Sequence, residues 1–340
     1  MGIRIRNFAM PLLIAGLIVG AGPVAAQATP PTPPRPPVPV VASPRPPRPP
    51  RAPRAWSGED GVARIDTTVP FSAQNGTVEL SLVAGTMKLS TWNQNKIRVV
   101  ASTSGPPSLQ FDASNSHMSL EQVRNGSRGD RSSVGSATYD VTVPAGSRAT
   151  LSAVSGDIDA SGLRGRAEVS TVSGSVNVRD VGSGLSVEGV SGNITVANVG
   201  GEAHVENVSG RVSVTGVGGS VSVETVSGGI TLNGVEGSSI HATSVSGDLD
   251  FAGPVGGSAR YNFETHSGRA NLRIASNANT AIRVETFSGS VSNDYPGAVF
   301  KGQNSSDDDT SSVDIIIGQG QGRLRVETFS GSVHISKGNP

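Results

Sequence analysis

The chain has 340 residues, no cysteine, and 27 basic and 27 acidic side chains. Without cysteine, the sequence excludes disulfides, thiolate metal sites and a lipid-modified N-terminal cysteine. All 27 acids and 20 of the bases lie at or after Glu59, so this part carries a net charge of −7 and lacks the basic excess typical of nucleic-acid platforms.

Residues 1–28 have the features of a secretory signal. Arg4 and Arg6 form a positive start, and residues 9–22 form an apolar stretch that is short for a membrane span. Ala26 and Ala28 flank Gln27 as a small-x-small cleavage site. We therefore expect export to the periplasm, the cell surface or the medium, with a retained N-terminal anchor as the alternative.

Residues 29–55 form an arginine-proline arm that contains 13 of the 22 prolines. Such a composition cannot build a core and favours extended polyproline II geometry. This composition predicts that the arm is a disordered linker that acts as a stiff spacer. Alternatively, it contacts an anionic envelope polymer or lipid headgroups through its five arginines. These arginines are Arg35, Arg45, Arg48, Arg51 and Arg54.

Residues 56–150 predict strands with irregular spacing. Residues 77–82 alternate apolar and polar side chains, whereas residues 114–136 are polar and predict long loops. Terminal repeats of a solenoid are often irregular because they cover an open strand edge. We interpret this part as N-terminal rungs and a cap.

An eighteen-residue unit repeats from residue 154 to 228. Val-Ser-Gly begins at Val154 and returns at Val172, Val190, Val208 and Val226. Apolar residues follow steps of 4, 2, 3, 4, 2 and 3, and all 24 positions chosen by this rule in residues 154–225 are Val, Ile, Leu or Ala. The rule places all of them, including the valine of Val-Ser-Gly, in the interior.

This period predicts an all-β, single-stranded parallel β-solenoid over residues 151–340. Each rung of eighteen residues should contain two short strands and two turns, because apolar pairs two apart alternate as in a strand and Gly and Ser mark turns. The apolar step pattern is the same in both nine-residue halves of the unit, which argues against a triangular coil. Right-handed winding follows from the rule for parallel crossovers.

Every rung should place the same Ser-Gly pair in one turn column. A nucleophile would need a general base beside it, and none repeats with the serines, so we interpret the hydroxyls as turn-stabilising. The column contains Ser155, Gly156, Ser173, Gly174, Ser191, Gly192, Ser209, Gly210, Ser227, Gly228, Ser246 and Gly247.

The repeat loosens beyond residue 228, where aromatic residues enter positions that the rule makes internal. Phe287 and Phe329 stand where the regular rungs have the valine of Val-Ser-Gly. An insertion at about residues 292–322, with three aspartates at 307–309, predicts a mobile loop.

Two acid pairs are the best candidates for chemistry. Asp157 with Asp159 and Asp248 with Asp250 each point outward on one strand, and a metal site or a glycosidase-like pair is conceivable. The pairs lie five rungs apart, no third ligand is evident, and the turns lack the aspartates of a calcium β-roll. We therefore interpret them as solvated acids.

No other pattern predicts catalysis or a cofactor. His117, His204, His241, His266 and His334 have no metal-ligand spacing. No phosphate loop or dinucleotide fingerprint follows a strand and opens a helix. The sequence therefore predicts no catalytic residue, cofactor or metal. Outward polar columns could bind extended glycan or peptide ligands, or be ordinary solvated strand faces.

Several motifs resemble one bacterial family. They are Arg-Ile-Asp-Thr-Thr-Val-Pro-Phe at 64–71, Gly-Thr-Val-Glu-Leu at 76–80, Ser-Thr-Trp-Asn at 90–93, Tyr-Asp-Val-Thr-Val-Pro at 139–144 and Val-Glu-Thr-Phe-Ser-Gly-Ser-Val at 326–333. In this order they are similar to the β-strand-repeat "putative adhesin" family of unknown function, with its toastrack-type envelope domains.

The resemblance covers about residues 61–337. It implies a β-solenoid exposed at or beyond the inner membrane, acting in adhesion or envelope-stress signalling, with no catalytic motif to carry over. In place of a following transmembrane helix, this chain has a signal-like segment and a proline-rich arm.

Together these features predict a non-enzymatic, exported envelope module with a binding, adhesion-like or structural role. Its partners would be an envelope glycan, peptidoglycan or another envelope protein, and no nucleic acid. The alternatives are an envelope-stress signalling component and a polysaccharide-acting β-helix enzyme that uses Asp157 or Asp248.

Overall fold

A computed structural model describes residues 64–71, 76–104, 107–124, 135–305 and 311–338. These residues form 22 β-strands and no helix, which confirms the predicted all-β class. No helix in the described ranges is long and apolar enough to cross a membrane. The predicted signal, with Ala26 and Ala28, and the arginine-proline arm lie outside the described residues.

The regular repeat contains two alternating stacks of short parallel strands. Leu185 pairs with Ala167, and Ala203 pairs with Leu185, so partners in one stack are eighteen residues apart. The other stack has the same offset, since Ile194 pairs with Val176. The winding hand stays a prediction. The strands are β8 (Ala167–Ser173), β9 (Val176–Val181), β10 (Leu185–Ser191), β11 (Ile194–Val199), β12 (Ala203–Ser209), β13 (Val212–Val217), β14 (Val221–Ser227) and β15 (Ile230–Asn233).

The interior of each rung is filled by aliphatic side chains. Val212, Val214, Val221 and Val223 are at most 2% exposed, and Val217 at the turn between the strands is equally buried. Removal of such side chains from water is the main favourable contribution to folding, about 25 cal/mol for each Å² of apolar surface. Because every rung repeats this set, the core is a stack of equivalent layers.

The valine of Val-Ser-Gly does not belong to that core, so the predicted inward direction of this position is wrong. Val154, Val172, Val190, Val208 and Val226 are 47–52% exposed. In each strand the residue before this valine takes the inward place, as the buried Thr171, Asn207 and Thr225 show. The strand turns outward after that residue, so the valine and the following serine both face solvent.

The glycine of Val-Ser-Gly is required where neighbouring rungs meet. Gly192 has a φ of 133°, a conformation that side chains rarely adopt. A Cβ atom built on Gly192 would lie 2.0 Å from the carbonyl oxygen of Gly174 in the preceding rung. A side chain here would push the rungs apart, which explains why glycine returns in every unit.

The part before the regular repeat mixes parallel and antiparallel pairing. β2 pairs in parallel with β5, β6 and β7, whereas β3 pairs antiparallel with β1 and β6, and β4 pairs antiparallel with β5. Residues 117–124 form a strand where the sequence predicted a loop. The strands are β1 (Arg64–Pro70), β2 (Thr77–Trp92), β3 (Lys96–Thr103), β4 (Pro107–Ala113), β5 (His117–Arg124), β6 (Ala137–Pro144) and β7 (Arg148–Ser161).

The C-terminal rungs continue the parallel stacks with larger interior side chains. Phe251, Tyr261 and Phe263 are buried, and the ring centroid of Phe251 lies 5.6 Å from that of Tyr261 and 5.3 Å from that of Phe263. Phe287 and Phe329 are 47% and 48% exposed, so their predicted interior position is wrong. They continue the column of exposed valines of the regular rungs.

The insertion predicted as a mobile loop at 292–322 is largely a strand hairpin. β20 and β21 pair antiparallel with each other, and β21 also pairs antiparallel with β19. The aspartates at 307–309 lie outside the described residues. The C-terminal strands are β16 (Ser239–Ser246), β17 (Leu249–Gly253), β18 (Arg260–Ala275), β19 (Thr280–Asn293), β20 (Val299–Ser305), β21 (Ser311–Ile317) and β22 (Gly322–Gly338).

Candidate functional site

The turn-column serines lie in register from rung to rung. Parallel pairing aligns Ser155 with Ser173, Ser173 with Ser191, and so on through Ser209, Ser227, Ser246, Ser267, Ser330 and Ser288. This alignment fixes the spatial order of the residues on either side of the serines. The side chains before each serine therefore form further continuous columns, three of which build the candidate site.

The first column is an exposed apolar ridge formed by the residue before each aligned serine. Its aromatic end is stacked, with ring centroids 4.7 Å apart for His266 and Phe329 and 4.8 Å apart for Phe329 and Phe287. An apolar stripe of this length on a protein surface is typical of an interaction site. In spatial order the ridge contains Val154, Val172, Val190, Val208, Val226, Val245, His266, Phe329 and Phe287.

The second column is acidic and lies on the outer face of the same strands. Glu188 aligns with Glu206, and Glu206 aligns with Glu224. Thr243 interrupts the acids for one rung, after which Glu264, Glu327 and Glu285 follow. Neighbouring strands are about 4.8 Å apart, so this glutamate column is a regular row of negative charges.

The third column, called the floor, is formed by the residue between each glutamate and the following ridge residue, and its side chains point into the solenoid. Side-chain oxygens of five floor residues are buried without a hydrogen-bond partner among the described residues. Each of the five is at most 5% exposed. The five are Thr171, Asn207, Thr225, Thr328 and Thr286. At the equivalent positions on other rungs, the Ser244 and Thr265 hydroxyls donate to the Gly228 and Gly247 carbonyl oxygens at 3.5 Å. The floor side chains therefore pack against the turn glycines and are closed to a ligand.

Ridge, floor and glutamate column together form one groove that follows the stacked rungs. A cavity of about 540 Å³ extends past Glu188, Asn207 and Val226, and a second of about 390 Å³ past Glu264 and Phe329. Both cavities include Thr243 and Val245, so they meet at that rung. The groove thus has an apolar wall and an acidic wall above a closed floor.

The glutamates of the groove differ in how far they are already paired. Glu206 accepts a hydrogen bond from Nε2 of His204 at 2.9 Å, and Glu264 accepts one from the Asn262 amide at 2.6 Å. Within the described ranges, Glu188 and Glu224 contact no hydrogen-bond donor or cation. These two carboxylates are the most available to a ligand.

One arginine forms ion pairs with both glutamates at the aromatic end of the groove. Arg325 contacts Glu285 at 2.8 Å and Glu327 at 2.6 Å. The hydrogen bond to Glu285 raises the pKa of Arg325 above its usual range. A cationic ligand would therefore be held less strongly here than beside Glu188 or Glu224.

The predicted acid pairs lie elsewhere and each is engaged with the next rung. Asp157 accepts a hydrogen bond from the Ser175 backbone N–H at 2.8 Å, and Asp159 contacts Arg179 at 3.1 Å. These contacts leave the first pair as a link between rungs.

The second predicted pair has the same arrangement. Arg269 contacts Asp248 at 2.9 Å, and its side-chain hydrogen bond lowers the pKa of that carboxyl. Asp250 accepts a hydrogen bond from Asn271 at 2.9 Å. The structure does not bring the two pairs together, and among the described residues no three His, Cys, Asp or Glu side chains could hold one metal ion.

The histidines are dispersed, apart from two that share a column. Ser186, His204, Ser222 and His241 align in sequence, which places the two imidazoles two rungs apart. His266 belongs to the ridge, and Nδ1 of His334 lies 2.9 Å from the Ser292 hydroxyl. None of these positions unites two histidines at one rung.

The groove itself was missed by the sequence analysis, although a signal for it exists. Glutamate recurs two residues before the valine or phenylalanine of the turn, as in Glu206-Asn207-Val208 and Glu327-Thr328-Phe329. Assigning that valine to the interior concealed the pattern. Once the valine is placed on the outside, the recurrent triplet of glutamate, polar residue and valine marks one cross-section of the groove in each rung.

Comparison with known proteins gives a family and a distant structural likeness. A family model described as Toastrack DUF4097 matches residues 91–336. A "putative cell adhesion protein" from Clostridium sporogenes ATCC 15579, solved at 1.95 Å, is 11% identical, with 81% of this chain and 99% of that one covered at a TM-score of 0.23. A search of curated proteins finds no match.

Proposed function

Because the chain belongs to the Toastrack DUF4097 family, we propose that it is a non-catalytic binding module of the cell envelope. The groove would hold an extended, positively charged polypeptide segment of another envelope protein. Its solenoid, for which we propose right-handed winding and two strands per eighteen-residue rung, supplies the same binding cross-section on successive rungs.

The observation that carries this proposal is that the exposed ridge and the glutamate column run side by side over the same rungs. A ligand that is extended, apolar on one side and cationic on the other would use the ridge and the glutamate column together. A chain bearing Lys or Arg has these properties, because the aliphatic stems cover apolar surface while the charged ends reach carboxylates.

Charge decides between the polymer classes. The glutamate column would repel anionic polymers, including anionic stretches of peptidoglycan, and would attract cations over roughly one Debye length of 8 Å in physiological salt. A neutral glycan could stack on Phe287 and Phe329 but would leave Glu188 and Glu224 unpaired. A cationic polypeptide is therefore favoured over a glycan.

A binding role is also favoured over catalysis by the equivalence of the rungs. An active site needs unlike groups that converge on one point, such as a nucleophile, a base and an oxyanion donor. The groove instead repeats one arrangement, and Asp157 and Asp248 are engaged with neighbouring rungs.

The envelope location is part of the proposal and rests on residues 1–28. The apolar stretch, the two early arginines and the Ala26-Gln27-Ala28 site support export. Contact between the arm arginines and an anionic surface would hold the module close to that surface.

Titration of the chain with a labelled ten-residue oligolysine and, separately, with a neutral oligosaccharide tests this function by fluorescence anisotropy. We expect binding of oligolysine that weakens with salt and falls at least fivefold in Glu188→Gln/Glu224→Gln. The matched control Glu202→Gln/Glu236→Gln removes two exposed glutamates that lie at turns outside the groove. Binding of the oligosaccharide alone would reject the polypeptide assignment, and equal loss in both double variants would reject the groove.

A further inference from the structure

The arginine-proline arm has a spacing that matches a geometric feature of the groove. Arg45, Arg48, Arg51 and Arg54 are three residues apart, and prolines fill most of the positions between them. A polyproline II helix has three residues per turn and a rise of about 3.1 Å per residue. In that conformation the four arginines would lie on one face, about 9.3 Å apart.

The glutamate column offers acids at almost the same interval on every second rung. Starting at Glu188, alternate rungs carry Glu224, Glu264 and Glu285. Two rungs advance about 9.6 Å, since strands are about 4.8 Å apart. Four arginines therefore span about 28 Å and four glutamates about 29 Å, so the two rows stay in register over their whole length.

The pairing inside the groove favours these alternate rungs over the intervening ones. Glu188 and Glu224 are unpaired among the described residues, and Glu264 contacts only the neutral Asn262 amide. On the intervening rungs, Glu206 is held by His204, and Glu327 by Arg325. Glu285 also contacts Arg325, which makes the fourth position the weakest.

The prolines of the segment suit the apolar ridge. Prolines on the faces away from the arginines would pack on the valines and on the stacked Phe329 and Phe287, as polyproline helices do on apolar and aromatic grooves. A guanidinium carries five N–H donors and no acceptor. Those donors that no carboxylate accepts would stay hydrated on the open side of the groove.

We propose that the groove binds residues 45–54 of a second copy of this chain, with Arg54 or Arg45 at Glu188 and the other arginines on alternate glutamates. This proposal rests on the proposed function and names its ligand. The module would then join copies of itself, through a negatively charged groove on one molecule and the +4 segment of the next.

A peptide titration tests the register independently of protein folding. The protein is the full chain with Arg45→Gln, Arg48→Gln, Arg51→Gln and Arg54→Gln, so that its own arm does not compete. A labelled peptide of residues 44–55 is compared with one of the same composition whose arginines are two and four residues apart. We expect at least tenfold tighter binding of the natural spacing. Equal affinities would overturn the proposal while leaving the binding of cationic segments intact.

Substitution of the groove tests the site. In the same arm-substituted chain, Glu188→Gln/Glu224→Gln/Glu264→Gln should weaken binding of the natural peptide at least tenfold. The control Glu202→Gln/Glu236→Gln/Asp140→Asn removes the same charge from exposed positions outside the groove and should change affinity less than twofold. Similar losses in both triple variants would overturn the site, and no binding of either peptide or of oligolysine would overturn the proposed function as well.

Complementation tests the association of two copies. The arm-substituted chain keeps the groove, and the groove-substituted chain with its natural arm keeps the ligand. Each should sediment as a smaller species alone and as a larger species when mixed. A mixture that sediments as its separate components would overturn association between copies.

Discussion

The interior and the ridge are built from the same residue type, yet they have opposite surroundings. Val212 is 0% exposed and Val208, four residues earlier in the same rung, is 47% exposed. The difference lies in the backbone, which bends after the buried Asn207 and turns the next side chain outward. In this repeat, apolar character alone therefore does not set the direction of a valine side chain.

The C-terminal rungs extend that comparison. The interior there contains Phe251 and Phe263, and the ridge contains Phe329 and Phe287. Both regions change from aliphatic to aromatic at the same end, but only the interior aromatics are buried. An exposed column that stays apolar from rung to rung is typical of a binding surface rather than of packing.

The largest expected effect comes from a charge placed in the interior. Val196→Asp buries a carboxylate where the native side chain is 0% exposed, and it should lower the free energy of unfolding by about 4 kcal/mol or more. Thr195→Asp, on the neighbouring exposed position, should cost less than about 0.5 kcal/mol. Urea unfolding monitored by circular dichroism compares the two, and equal losses would mean that the strand register is wrong.

The contact between rungs should give the next largest effect. Gly192→Ala combines a positive φ with a Cβ atom 2.0 Å from the Gly174 carbonyl oxygen, and we expect a loss of about 2–4 kcal/mol. Gly234→Ala has a φ of 57° but no atom within 4 Å of the new Cβ, so it should cost only about 1–2 kcal/mol. If Gly192→Ala lowers the free energy of unfolding no more than Gly234→Ala does, close contact between neighbouring rungs does not explain the recurrent glycine.

Replacing valine by threonine compares the interior and the ridge with a smaller change, the exchange of a methyl group for a hydroxyl. Val212→Thr buries an unpaired hydroxyl in the interior and should cost about 1–2 kcal/mol. Val208→Thr makes the same change on the half-exposed ridge and should stay within about 0.5 kcal/mol of the natural chain. Comparable losses of unfolding free energy in urea would mean that the ridge valines are packed in the core.

The smallest effect concerns the links between rungs on the exposed surface. Arg269 lowers the pKa of Asp248, so this carboxylate contributes stability above the usual aspartate pKa of about 3.9, and the contribution is lost as pH falls through its lower folded-state pKa. Because the pair is exposed, solvent screening keeps the contribution small. Asp248→Asn should slightly reduce the urea midpoint at pH 7 and leave it unchanged near pH 2. A difference that grows in acid would contradict the direction of the pKa shift.

Sequence reasoning predicted the all-β class and the parallel pairing because the eighteen-residue period is itself a consequence of stacked rungs. Val214, Val217 and Val223 were placed in the interior correctly, since apolar spacing and burial agree at these positions. The C-terminal hairpin of β20 and β21 was not predicted, because serines and aspartates around it obscure its alternation.

The candidate site could not be predicted by the same reasoning, because its parts contradict the usual assignment of polarity. Val208 is apolar and exposed, whereas Thr225 is polar and buried. A rule that places apolar residues inside therefore reverses both positions and hides the ridge that forms one wall of the groove. Only the backbone bend, which hydrophobic spacing does not encode, separates the ridge from the core.

Thiol labelling tests the groove most directly, because the natural chain contains no cysteine. Single substitutions Val208→Cys and Val212→Cys would be exposed to a maleimide, with and without a saturating peptide of residues 44–55. We predict rapid labelling of Val208→Cys that the peptide slows, and little labelling of Val212→Cys in either condition. A protected Val208→Cys, or a labelling rate that the bound peptide leaves unchanged, would contradict the account of an exposed ridge that forms one wall of a binding groove.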